Sequence, residues 1–217
     1  ATFFLGLVTF ITDPFERLPR AALEGSDLNP LLQNYWMMIH PPSLYTGYVS
    51  ASVPFAFAMA ALATGRLGDQ WIRTTRRWAL FSWFFLSLGN LFGAMWAYEV
   101  LGWGGYWAWD PVENASLIPW LVATAALHCL AVTRRTGRLA ATTLALAAAA
   151  FLACLLATYI TRSGVINSVH SFGESPIGTF FLSFMVVMIV FTVALLIIRR
   201  RELAGEHSLG VEIELKA

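Results

Sequence analysis

Charge is what this sequence has least of. Only 12% of its 217 residues are Asp, Glu, Lys or Arg, about half the share usual in a soluble domain. What charge there is nearly cancels, at +1 net, and the basic residues are dispersed along the chain. That excludes nucleic-acid binding, which needs a basic stripe or face. Cysteine is almost as scarce. Cys129 and Cys154 lie inside apolar runs with no partner spacing, so they read as small buried hydrophobes rather than metal ligands or a disulfide. No cleavable signal is evident at the N-terminus.

What is present is apolar. Hydrophobic residues make up 58%, and the mean hydropathy is +0.64. Uncharged runs of about 20 residues recur, the length a helix needs to cross a bilayer core of about 30 Å. The sequence therefore predicts an all-α, polytopic transmembrane helix bundle. Five complete spans are read at Leu44–Thr64, Trp78–Tyr98, Pro111–Val132, Leu139–Ile160 and Ile177–Ile198. The segment Ala1–Ile11 is apolar but too short to cross, and reads as the tail of a partial span. Residues 1–217 form a single membrane domain, with no soluble second domain and no internal repeat.

The arginines orient the spans. Arg66, Arg73, Arg76 and Arg77 follow the first, Arg134, Arg135 and Arg138 follow the third, and Arg199, Arg200 and Arg201 end the fifth. The alternate loops are poor in cations. The one after the second span has none, and the next has Arg162 alone. The positive-inside rule puts these two loops outside, together with Thr12–Ser43, where Arg17 and Arg20 are balanced by Asp13, Glu16, Glu24 and Asp27. Residues 99–116, 12–43 and 161–176 are then external, and the tail 199–217 is cytoplasmic.

The stretch "WGGYWAWDPVENAS", Trp103 to Ser116, divides in two. Trp103, Tyr106, Trp107 and Trp109 form a dense cluster beside Gly104 and Gly105, which permit close backbone approach. Together they suggest a platform for a large flat apolar ligand, held by ring stacking. Trp36, Trp71, Trp78, Trp83, Trp96 and Trp120 read instead as interfacial anchors. From Asp110 on, the pattern is a helix start. Asp suits the N-cap, Pro111 the first helical position and Glu113 the third, the spacing of a capping box. Neither acid is a candidate for acid–base chemistry, though Asp110 also has the position to hold the tryptophan loop in shape.

Three of the four histidines carry the remaining chemistry, while His207 in the hydrophilic tail reads as solvated surface. His40 lies in "IHPP" just outside the first span, where Pro41 and Pro42 stiffen the backbone ahead of the helix. His170 lies in "NSVHSFG" on the same side. Each alone reads as an interfacial polar residue. As a pair beside the tryptophan loop, they have the chemistry to ligate one haem iron from opposite faces. His128 sits inside the third span, about 25 Å from Pro111 at about 1.5 Å per residue, and so in the inner half of the bilayer. An ionisable group there is a functional candidate. It either bonds to another span or ligates an embedded metal centre whose other ligand lies elsewhere.

"WGGYWAWDPVENASLIPWL" resembles the tryptophan-rich WWD signature of the haem-handling proteins of cytochrome c biogenesis. DPVENAS followed by PWL resembles the CcmF type of cytochrome c haem lyase and its close relative for nitrite reductase maturation. "DPFERLP", "DLNPLLQN", "IHPPSLYTGYVS" and "LLATYITRSGVINSVHSF" are similar to segments of that family in the same order. The resemblance covers nearly the whole chain but about the central third of the family's length. The chain is thus a fragment or a natural split subunit. Tyr106 stands where the family often has another Trp.

The resemblance implies a bacterial inner-membrane or organellar inner-membrane protein, with the WWD loop on the periplasmic or outer side. It implies an external, transferred haem held at Trp103, Tyr106, Trp107, Trp109 and Asp110, with His40 and His170 on the iron. It implies a membrane haem b at His128, whose second ligand belongs to the part of the family absent from this chain. The implied activity is thioether formation between haem vinyl groups and the Cys-x-x-Cys-His thiols of apocytochrome c, as part of a larger complex. The implied partners are a CcmE-type haem chaperone, a CcmH-type thiol-handling protein, the rest of CcmF if split, and the lipid membrane. Two other readings of the same residues are a haem chaperone or exporter that makes no bond, and a transporter-like scaffold whose tryptophans only anchor it.

Overall fold

The computed structural model describes residues 2–12, 15, 17, 19–20, 24–25, 27–170 and 177–204. His207, Asp13, Glu16, and parts of the 12–43, 161–176 and 199–217 segments lie outside the described residues. Six α-helices occur among those described, and no strand. They are α1 (Thr2–Phe10), α2 (Tyr35–Thr64), α3 (Asp69–Val100), α4 (Pro111–Thr136), α5 (Ala140–Arg162) and α6 (Ile177–Ile198). The last five are long and apolar enough to cross a membrane.

The α2 and α3 helices pack along each other, as do α4 and α5, while α5 also touches α2 and α6. Alanine makes the α5 contacts close. Ala147, Ala148, Ala150, Ala153 and Ala157 are all buried. Small residues let helix backbones approach where lipid supplies no hydrophobic drive. At one end, Arg199 Nε and Nη2 donate to the carbonyls of Leu62 and Ala63, 2.8 and 3.0 Å away. Those bonds satisfy the orphan carbonyls at the end of α2, and they bring two arginine-bearing helix ends together.

The spans at α4, α5 and α6 match the apolar runs to within a turn. Two helices begin earlier than the runs suggest. First, α2 starts at Tyr35, so His40, Pro41 and Pro42 lie inside it rather than before it. The reason is a cap. Asn34 accepts from the Trp36 N–H at 2.8 Å. Ser43 and Thr46 hydroxyls bond back to Ile39 and Pro42 carbonyls at 2.8 and 2.7 Å, the usual way such hydroxyls are satisfied inside a helix. Second, α3 starts at Asp69, so Arg73, Arg76 and Arg77 ride on the helix instead of a loop. Arginine, glutamine and alanine favour helix, and Trp71, Ile72 and Thr75 are buried on its inner face.

Two of the six tryptophans read as anchors, Trp71 and Trp96, are buried, and Trp36, Trp83 and Trp120 are half-buried. Trp96 is 0% exposed, and its Nε1 donates to Leu31 O at 2.8 Å. Trp71 is buried and donates to Leu67 O. Trp83 and Trp120 stack between α3 and α4 with centroids 6.3 Å apart, and donate to Thr124 and Ser87 hydroxyls. Trp36 donates to Glu99. Only Trp78 of the six is exposed. A buried indole with its N–H satisfied is a packing element, and here these rings rivet α3 to its neighbours.

Candidate functional site

The start of α4 builds the site. Asp110 Oδ2 accepts from Val112 N at 3.0 Å, and Glu113 Oε2 reaches back to Asp110 N at 3.2 Å. That is the reciprocal capping box the sequence predicts. Glu113 does one thing more. The same Oε2 accepts from Ala108 N at 2.9 Å, so a carboxylate only 7% exposed ties the end of the aromatic loop to the helix. Trp109, between those two bonds, has φ +60°. A non-glycine residue there is unfavourable, and the Asn114 amide holds its carbonyl at 3.0 Å.

Asp110 also reaches across the fold. Its Oδ2 accepts from Ser168 Oγ at 2.6 Å and from His170 Nδ1 at 3.1 Å. Ser168 Oγ in turn accepts from the His170 backbone N–H at 3.0 Å. The buried Trp96 ring meets the His170 ring edge-on at 5.2 Å. His170 is thereby fixed by the loop carboxylate, by its own turn, and by an α3 indole. Ser168, the contact of Trp96 with His170 and the bond from His170 to Asp110 are not among the sequence-based expectations. A serine two residues before the histidine in "NSVHSFG" was the available sign, since such a hydroxyl readily bonds a nearby backbone N–H.

His40 comes from α2. Its Nδ1 lies 2.7 Å from Gly89 O on α3. A carbonyl or carboxylate only accepts, so Nδ1 carries a proton in both rings, and in the neutral form of each the lone pair is at Nε2. Both rings line one small cavity of about 40 Å³, together with Leu44, Asn90, Gly93, Trp107, Glu113 and Ser116. Trp107 Nε1 is buried and without a partner among the described residues. The fold thus brings together two histidines that are 130 positions apart in the chain.

The four loop rings do not lie in one plane. Tyr106 stacks on Tyr98 of α3 at 4.4 Å and 11°. Trp107 and Trp109 meet at 84°. Trp103 donates to Gly105 O within its own turn at 2.9 Å. Trp109 is 71% exposed, and Trp107 alone of the four lines the histidine cavity. A larger apolar groove of about 780 Å³ opens between α1, α2, α5 and α6. It is lined by Tyr45, Tyr48, Phe55, Phe151 and Cys154 among others, and by no histidine.

His128 stands apart from that cavity. It is on an exposed face of α4, and its Nδ1 lies 2.7 Å from Thr124 O. Its Nε2 is therefore also a free acceptor. No group of three or more His, Cys, Asp and Glu side chains suited to a metal ion occurs among the described residues.

The sequence profile of the family described as Cytochrome C assembly protein matches residues 1–166. The chain belongs to that family of multi-pass helical membrane proteins. Within it, the chain is 54% identical over 188 residues to the cytochrome c-type biogenesis protein CcmF of Escherichia coli strain K12, covering 86% of this chain and 29% of that protein. It is 51% identical over 191 residues to CcmF of Pseudomonas aeruginosa, covering 87% of this chain and 29% of the relative. A solved structure, "Cytochrome c Heme Lyase CcmF", superposes with a TM-score of 0.72 at 44% identity, over 89% of this chain and 29% of that one. The chain therefore corresponds to part of a CcmF-type protein, and spans less than a third of the length of these relatives.

Proposed function

We propose that the aromatic end of this bundle lies on the outer face of the membrane and holds haem there as a substrate for attachment to apocytochrome c. The observation that carries this reading is the pair of imidazoles. His40 and His170 line one cavity, each with Nδ1 tied to an oxygen. Two neutral Nε2 donors suit the axial positions of a haem iron, and the carboxylate behind His170 is the usual orienting partner of a metal-binding imidazole. The cavity of about 40 Å³ fits a water-sized group, not a porphyrin. Admitting haem therefore requires the cavity to widen, and the Trp107 wall is a part that bonds neither histidine.

The residues have distinct parts in this scheme. His40 and His170 hold the iron and so fix the vinyl groups. Trp107 lines the cavity, and Trp103, Tyr106 and Trp109 beside it would add rings for the porphyrin to stack on. Asp110 and Ser168 orient His170. In the attachment step each cysteine S–H adds across a vinyl C=C, so one C–S and one C–H bond form and no net electron is exchanged. Positioning is the protein's contribution, and no general base is required from this chain. A CcmE-type chaperone supplies haem, a CcmH-type partner presents reduced thiols, and the remainder of the CcmF-type protein completes the complex. The test uses the full-length protein, haem and a reduced apocytochrome. A pyridine haemochrome spectrum of the product with both vinyls saturated is the expected result. Haem bound but never attached would favour the chaperone reading, and no Soret band would favour a scaffold.

His128 would be one residue to hold a resident haem b. Its ring lies on an exposed face of α4, where a partner helix of the longer protein would cover it and bring the other ligand. When bound, that haem supplies one-electron chemistry. His128→Ala is expected to remove the b-type α-band from the purified full-length protein while leaving haem binding at the outer site intact. An unchanged α-band would reject the assignment.

A further inference from the structure

Helices α2 and α3 approach closely at three glycines, and the one nearest the site is set against a histidine. A Cβ placed on Gly47 would fall 2.8 Å from Leu86 N, and one on Gly89 2.7 Å from Leu44 Cα. Both contacts are against backbone, so they set the distance between the helices. Gly93 is different. A Cβ there would lie 2.7 Å from His40 Cε1 and 2.9 Å from His40 Nδ1. The ring cannot swing away freely, because Nδ1 is bonded to Gly89 O one turn earlier at 2.7 Å. Gly93 also lines the cavity that His40 faces. Gly89 thus fixes the imidazole by hydrogen bond, and Gly93, having no side chain, leaves the space the ring occupies.

We propose that Gly93 is a positioning residue for His40: it leaves the room that lets the imidazole present Nε2 to the haem iron while Nδ1 stays bonded to Gly89. The proposal rests on the haem-site reading above. In physical terms, a methyl group at Gly93 either breaks the Nδ1–Gly89 bond or tilts the ring, and in both cases Nε2 moves away from the iron's axis. Loss of an orienting contact to a metal ligand typically weakens binding about tenfold to a hundredfold.

The test is a pair of double-mutant cycles in the full-length protein, using Gly93→Ala, His40→Ala and the double variant. The first cycle is haem-free and reads thermal stability. Gly93→Ala is expected to lower Tm in the His40 background and to change it little once His40→Ala has removed the ring. If Gly93→Ala does not fold but the double variant does, that is the same result in stronger form. The second cycle reads haem titration and the low-spin bis-histidine spectrum. Gly93→Ala is expected to weaken haem binding about tenfold and to convert low-spin to high-spin haem. In the His40→Ala background it is expected to add nothing, and free imidazole is expected to restore the low-spin spectrum equally with and without it. Equal losses in both backgrounds would mean that Gly93 serves helix packing only, and no loss in either would mean the ring has slack; each overturns the proposal. If wild type and His40→Ala bind haem alike, the haem-site assignment of His40 fails instead, and the stability cycle still reports whether Gly93 gauges the ring.

Discussion

Replacing both His40 and His170 with alanine in the full-length protein is expected to cut the yield of holocytochrome c by roughly a hundredfold or more and to abolish the low-spin haem spectrum. Each ring is held by groups it does not share with the other. His40 is seated on α2 against Gly89 and Gly93 of α3. His170 is seated by Asp110, Ser168 and Trp96. Removing one ring therefore leaves the other in place, and a five-coordinate haem that binds more weakly. Groups that act as a unit lose function non-additively. The single variants are each expected to lose most of what the double variant loses, with about tenfold to a hundredfold weaker haem binding. Free imidazole is expected to restore part of the spectrum in either single variant, since the vacated space is ring-shaped. The measurements are haem titration, the Soret and charge-transfer bands, and holocytochrome yield. Undiminished yield in both single variants would sink the assignment of these two histidines.

The sequence made much of this legible, and the failures share a cause. Span count and the α4 start came through because they depend on local chemistry. Twenty apolar residues must cross, and Asp110-Pro111-x-Glu113 must cap. Helix beginnings at α2 and α3 were missed because the apolar run marks where the bilayer starts, not where the helix does. Asn34 and Gly68 cap the helices turns earlier; α2 starts from the Asn34 side-chain cap despite Pro41 and Pro42, and α3 on a stretch whose Gln70, Arg73, Arg76 and Arg77 favour helix. For Trp71 and Trp96 the reading as interfacial anchors gives way to burial, for a related reason. An interfacial Trp and a buried Trp look the same in sequence, and only the partner of the N–H distinguishes them. For Trp96 that partner is Leu31 O, 65 positions away. The same limit hid the seats of the histidines. Gly89 and Gly93 look like ordinary small residues of a membrane helix until α2 is laid against them. Ser116 and Asn90, whose side chains meet at 2.7 Å beside the cavity, carry no local signal at all.

Asp110 separates a structural role from a site role, because two of its jobs tolerate different substitutions. Its Oδ2 caps α4 through Val112 N, and it also receives Ser168 Oγ and His170 Nδ1–H. Asn and Ser cap helices about as well as Asp, yet neither brings a charge to His170. Bonds to an ionised acceptor are roughly twice as strong as neutral ones, and a carboxylate behind a ligating imidazole raises its basicity. Asp110→Asn and Asp110→Ser are therefore both expected to keep α4. Asp110→Asn, whose side chain still reaches the tethered groups, is expected to keep thermal stability near wild type, while the shorter Asp110→Ser leaves Ser168 and His170 unsatisfied and loses part of it. Both variants are expected to weaken ferric haem binding about tenfold to a hundredfold and to shift the haem potential upward, because a less basic ligand stabilises the ferric ion less. Asp110→Ala loses cap and tether together. It is expected to cost about 1 kcal/mol for the cap and a further 1–3 kcal/mol or so for the unsatisfied partners, besides the haem defect. If Asn and Ser variants bind haem and mature cytochrome like wild type, Asp110 is a helix cap alone, and His170 is positioned by Ser168 and Trp96 without it.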